Sequence, residues 1–99
     1  MKRLTVSEAQ TQHKSLESHW GLRSDRIVAR FEFENFERAI DFMHEAVPFV
    51  ERLNHHPDWC NRYNEITITL WTHDAGGLTE LDFALAKELS ALYNTFKEL

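Results

Sequence analysis

From Ile27 onward apolar and polar residues alternate, so that Ile27, Ala29, Phe31 and Phe33 share one side of an extended segment and Val28, Arg30 and Glu32 the other. That period of two predicts a half-buried strand. Trp20 and the bend at Gly21 lead in from a shorter strand, giving a hairpin. Asn35 stands as the cap of a helix whose apolar stripe runs Phe36, Ala39, Ile40, Met43, Val47, Val50 and Leu53, a spacing close to about 3.6 residues per turn. Pro48 falls inside this stripe without an N–H to give and crowds the carbonyl of residue 44, so a kink or short break is expected there. Pro57 pushes His56 out of the helical region and sets the helix end near Asn54 or His55, with His55 riding the last turn.

Trp59 to Tyr63 and Glu65 to Thr72 read as two further strands around a turn at Asn64. In the second, Ile66, Ile68 and Leu70 share the core face, while Thr67, Thr69, Trp71 and His73 share the opposite one. Ser7-Glu8-Ala9-Gln10 has the form of a capping box opening a short helix to about Ser18, and Thr79-Glu80-Leu81-Asp82 opens another. Leu81, Leu85, Leu89, Leu92 and Phe96 give that last helix its apolar face. The sum is an α+β, two-layer fold: a four-stranded antiparallel sheet with helices packed on one face, the other face open or in an oligomer interface. Residues 1–99 are expected to form a single domain.

Composition narrows the function more than the fold. A hydrophobic share of 42% in 99 residues supplies one globular core. The net charge of −5 disfavours direct nucleic-acid binding. Polar residues follow the first few positions where a signal peptide needs an apolar stretch, and no run reaches membrane-spanning length. The single cysteine, Cys60, rules out an internal disulfide and reads as an inert buried thiol. These features point to the cytoplasm.

The candidate chemistry lies in four groups: Glu51, His55, His56 and His73. Histidine, with an ordinary pKa of about 6.5, gives or takes a proton near neutrality. Residues four apart share a helix face, so Glu51 is expected to reach and orient His55, while His56 departs in another direction. A pocket between helix end and strand end follows, with Trp59 and Trp71 as candidate walls. His13, His19 and His44 have no partner spacing and read as surface residues.

The order Glu51-x-x-x-His55-His56-Pro57, Tyr63, His73, Asp82 resembles the signature of the pterin-4a-carbinolamine dehydratases. The surrounding Leu53-Asn54-His55-His56-Pro57-Asp58-Trp59 and Thr72-His73-Asp74-Ala75-Gly76-Gly77-Leu78-Thr79-Glu80 are similar to that family too, and the likeness is dense from about residue 20 to residue 92. The resemblance implies a dehydratase that converts 4a-hydroxytetrahydropterin to quinonoid dihydropterin after an aromatic amino acid hydroxylase has used its pterin. It implies His55 and His73 as the acid/base pair, His56 as a substrate-binding histidine with a share in proton transfer, and Glu51 as the orienting carboxylate. Asn54, Thr72 and Asp74 would line the pterin site; Trp59, Trp71 and Tyr63 read equally as contacts to the pterin or as packing and cross-strand aromatics. No cofactor and no metal is implied, and the family commonly forms dimers, with tetramers in some members, so a homodimer or homotetramer is expected.

The chain departs from the resembling pattern at Trp71, where a small hydroxyl residue is expected, and at Cys60 and Pro48. Asp82 reads as the third helical residue after the Thr79 cap rather than a catalytic group. Two other functions compete. A metal site could use two histidines and a carboxylate as a facial triad, but His55 and His56 diverge and His44-Glu45 lacks a second histidine. A non-catalytic dimerisation or transcriptional-cofactor module of the same fold is the other, because animal members of the resembling family also serve that role.

Overall fold

The computed structural model describes residues 2–97. Helix α1 (Val6–His13) precedes the hairpin of β1 (Trp20–Leu22) and β2 (Ile27–Glu32), then helix α2 (Phe36–Leu53). A second hairpin, β3 (Asp58–Arg62) and β4 (Glu65–Leu70), is followed by a single turn at His73–Ala75 and helix α3 (Glu80–Lys97). The four strands form one antiparallel sheet, as the hydrophobic pattern predicts, and their order in it is β1-β2-β4-β3.

Strand alternation places side chains as expected. Ile27, Ala29, Phe31, Ile66, Ile68 and Leu70 are buried under the helices, while Arg30 and Asp58 lie exposed on the open face. Phe31 stacks on Tyr93 of α3 at 4.2 Å, and the Tyr93 hydroxyl donates to the Glu32 carbonyl at 2.7 Å. Trp20 buries its indole and donates Nε1–H to Ser90 Oγ at 2.8 Å. Sheet and last helix are thus joined by an aromatic layer whose polar tips are paired, as burial requires.

Helix α2 departs from its predicted stripe. Its buried residues are Ala39, Phe42, Ala46 and Val50, whereas Phe36, Ile40 and Val47 are 51%, 39% and 46% exposed. The small side chains at 39 and 46 let the helix approach its neighbours closely, so the buried face is turned toward the alanines and away from the larger residues that periodicity favoured. Pro48 lies exposed and the helix runs through it without a break, although the missing N–H takes one donor from the helix.

Helix α1 begins two residues earlier than predicted. Thr5 is the cap: its side chain accepts from Glu8 N–H at 3.1 Å, and Glu8 Oε1 accepts from Thr5 N–H at 2.8 Å. The bond from Leu4 N–H to the Leu78 carbonyl, 2.8 Å, ties the segment down just before the cap. The helix ends at His13, not near Ser18, and His13 donates Nε2–H to the Trp20 carbonyl at 2.7 Å. His13 and His19, read from the sequence as surface residues, are therefore half-buried; the His19 ring meets Phe31 and Tyr93 edge-on at 5.3 and 5.1 Å. His44 is exposed, as expected. Cys60, read from the sequence as a buried thiol, is instead exposed, because the parity of β3 puts Asp58, Cys60 and Arg62 on the open face.

Candidate active site

The end of α2 decides where the histidines go. Asn54 takes the left-handed conformation (φ 48°, ψ 44°). Its N–H donates to the Glu51 carbonyl at 3.1 Å and the His55 N–H to the Val50 carbonyl at 3.2 Å, the paired bonds of a Schellman ending. This reversal takes His55 off the helix face that carries Glu51 and turns it inward, where it is 8% exposed. Glu51 does not reach His55 as expected; it pairs with His56 Nε2 at 2.8 Å, and both side chains are exposed.

The partner of His55 is Asp82. Asp82 is fully buried; its Oδ1 lies 2.5 Å from His55 Nε2, and its Oδ2 accepts from the Thr72 hydroxyl and the Thr79 N–H, both at 2.9 Å. A carboxylate only accepts, so Nε2 carries the proton of this contact and Nδ1 is left as the ring nitrogen without a partner among the described residues. With the Thr72 hydroxyl proton committed to Asp82, the Thr79 hydroxyl donates to Thr72 Oγ1 at 2.8 Å and itself accepts from Leu81 N–H at 3.3 Å. Around the Asp82 carboxylate every donor is paired, the condition under which a buried polar cluster is rigid rather than costly. The expected capping bond of Asp82 is present, and the same carboxylate orients a histidine.

The second half of the site comes from the end of β4. Thr72 N–H donates to the Gly77 carbonyl at 2.9 Å, closing a loop in which Gly76 takes a positive φ of 70°. The parity of β4 continues past Leu70, so Thr72 turns into the core and His73 away from it. His73 is exposed, with its ring centroid 4.5 Å from that of Trp71.

These elements enclose an open cleft of about 420 Å³. Asn54, His55 and His56 line it from the helix end, Trp71, Thr72, His73 and Asp74 from the strand end, and Leu81 from α3. Glu51 reaches its edge only through His56. Trp59 does not line it: it pairs with Ile68 in the sheet and packs against the hydrophobic core, the side of β3 that parity assigns it. Tyr63 is 66% exposed in the β3–β4 turn, away from the cleft. Sequence reasoning missed the tie between Asp82 and His55, although Asp82 stood in the motif spacing. Among the described residues no group of three or more His, Cys, Asp or Glu side chains is placed to hold a metal ion, and no helix is long and apolar enough to cross a membrane.

Fold and cleft together define a small α+β protein with three histidines, two from a helix end and one from a strand end, at one open cleft, and with His55 held by a buried aspartate. Residues 2–92 match the family described as pterin 4 alpha carbinolamine dehydratase, and the chain belongs to that family. It is 39% identical over 92 residues to a protein of Sulfurisphaera tokodaii, covering 93% of this chain and 98% of that one. It is 47% identical over 91 residues to a protein of Rhizobium johnstonii, covering 90% and 89%. Both relatives carry the name pterin-4-alpha-carbinolamine dehydratase provisionally. The crystal structure of a transcriptional coactivator/pterin dehydratase from Brucella melitensis superposes with a TM-score of 0.87 at 37% identity, covering 93% of this chain and 99% of that one. A pterin dehydratase-like protein described as a RuBisCO assembly factor in the alpha-carboxysome shares the fold alone, with a TM-score of 0.62 at 20% identity over 83% of this chain and 93% of that one.

Proposed function

We propose that the protein dehydrates 4a-hydroxytetrahydropterin to quinonoid dihydropterin, with His55 and His73 as its acid/base pair. The observation that carries this reading is the shared cleft: a histidine fixed at Nε2 by Asp82 and a second, exposed histidine open on the same cavity. Elimination of water needs one proton delivered to the leaving 4a oxygen and one removed from N5–H. The N5–H electron pair then closes the double bond to C4a as the C–O bond breaks, and one acid and one base suffice. His55 exchanges its proton at Nδ1, the nitrogen Asp82 leaves free.

Trp71 supplies a flat apolar wall for a bicyclic ring, and Asn54, Asp74 and His56 supply polar groups at the rim. Thr72 acts from the cleft floor, through Asp82. The open outer edges of β1 and β3 support pairing between copies, and so a homodimer or homotetramer; the proposed substrate is what places the protein alongside an aromatic amino acid hydroxylase in pterin recycling. The competing reading is a non-catalytic dimerisation or transcriptional-cofactor module. Enzymatically generated 4a-hydroxytetrahydropterin tests both. Dehydration above the uncatalysed rate that falls steeply in folded His55→Ala and His73→Ala variants is expected, whereas wild-type protein that binds pterin without accelerating its dehydration overturns the enzyme in favour of the module.

A further inference from the structure

The two histidines proposed as the acid/base pair are held by different means. His55 is gripped through a hydrogen bond to a buried carboxylate. His73 makes no side-chain hydrogen bond among the described residues, and its recorded ring contact is with Trp71 at 4.5 Å and an interplanar angle of 37°. Trp71 in turn carries the guanidinium of Arg26, whose Cζ stands 4.3 Å from the ring centroid. Arg26 is itself fixed by a two-point fork on Asp25, Nε to Oδ1 at 2.9 Å and Nη2 to Oδ2 at 3.2 Å.

This row is written into the sheet register. Ile27 of β2 pairs with Leu70 of β4, so Arg26 and Trp71 are the next cross-strand neighbours. Because Ile27 and Leu70 face the core, these two face the open side together.

We propose that Arg26 is a positioning residue for His73, acting through Trp71. The geometric part stands independently; its catalytic consequence rests on the dehydratase reading. An exposed imidazole with no hydrogen bond samples several rotamers, and most of them take its nitrogen out of line with the reacting proton. A planar guanidinium, already immobilised by the Asp25 carboxylate, holds the indole by cation–π attraction at little further entropic cost, and the indole then limits the imidazole. A small hydroxyl residue at position 71 would offer His73 no such surface. Trp71 with Arg26 is thus an orienting device particular to a chain with a large aromatic side chain here.

The test compares Arg26→Ala, Arg26→Lys and Trp71→Phe with wild type by steady-state dehydration kinetics and by the chemical shifts of the His73 ring protons. Arg26→Ala is expected to lower kcat about twofold to fivefold, the scale of one partly exposed cation–π contact, with KM changed less than about twofold. It is also expected to move the His73 ring protons toward free-histidine shifts, as the imidazole spends less time against the indole and feels less of its ring current. Arg26→Lys and Trp71→Phe, which keep a cation and a ring, recover part of both effects. Should Arg26→Ala not fold, Asp25→Asn loosens the same anchor and is read the same way. Unchanged kcat with unchanged His73 shifts overturns the proposal, as does a loss confined to KM. A wild-type protein without dehydration refutes the enzyme reading, while the ring-proton shifts still decide whether Arg26 holds His73.

Discussion

Asp82→Asn is the most discriminating single change, because it keeps shape and removes only the charge and one acceptor. The carboxylate takes three donors in a fully buried place, at 2.5 Å from His55 Nε2 and 2.9 Å from both Thr72 Oγ1 and Thr79 N. An amide has one oxygen, so its NH2 must face either the His55 N–H or the Thr72 and Thr79 donors. An unsatisfied buried donor costs about 1–3 kcal/mol, and bonds that lose their charged partner weaken further. The combined cost is about 2–4 kcal/mol, a large part of the stability of a domain this size, which corresponds to a fall in Tm of about 10–20 °C. If the NH2 turns to His55, the ring must move its proton to Nδ1, and the nitrogen facing the cleft changes role; if it turns to the threonines, the loop carrying His73 loosens. Either way kcat measured below the variant's transition falls about a hundredfold, within the span of positioned proton transfer. Calorimetry and turnover on the same preparation check this. A Tm within about 3 °C of wild type together with a kcat within about twofold would refute the reasoning, since the buried network would then neither hold the fold nor orient the histidine.

Asn54→Gly keeps the left-handed helix ending and is expected to leave thermal stability nearly unchanged, while Asn54→Ala costs about 1 kcal/mol and lowers turnover by misplacing His55; equal melting of the two would contradict the role of φ. Glu51→Ala removes only an exposed pair with His56, so urea unfolding should register less than about 1 kcal/mol, with kcat nearly intact; a steep loss of kcat would restore Glu51 to the proton-transfer machinery. The Thr5 N–H, donating to the Glu8 carboxylate, holds that carboxyl below its ordinary value of 4.5. Its contribution to α1 is therefore complete above the ordinary carboxylate range and lost as pH falls through the lowered folded value, and a carbon-13 titration midpoint for Glu8 at or above 4.5 would count against the capping box. Dialysis against a strong chelator should leave the dehydration rate unchanged, and a loss restored by an added divalent ion would move the chemistry to a metal.

Local pattern was enough for the sheet and for the grouping of the cleft. Alternation from Ile27 and from Glu65, the Asn35 cap and the stop before Pro57 are short-range signals, and each acts through its own few residues. Parity alone sent His73 away from the core, and motif spacing alone marked His55, His56 and His73 as one site. Tertiary contact decided the remainder. Two overlapping capping boxes compete at the N-terminus, and α1 follows the one beside the Leu4–Leu78 tie. Two helical stripes overlap in α2, and packing takes the one with Ala39 and Ala46 because close approach outweighs the larger apolar side chains left outside. The partner of His55 lies 27 positions along the chain at Asp82. A spacing rule for one helix points to Glu51, but the left-handed turn at Asn54 and the docking of α3 bring the aspartate instead, because a buried donor must find an acceptor wherever the fold supplies it.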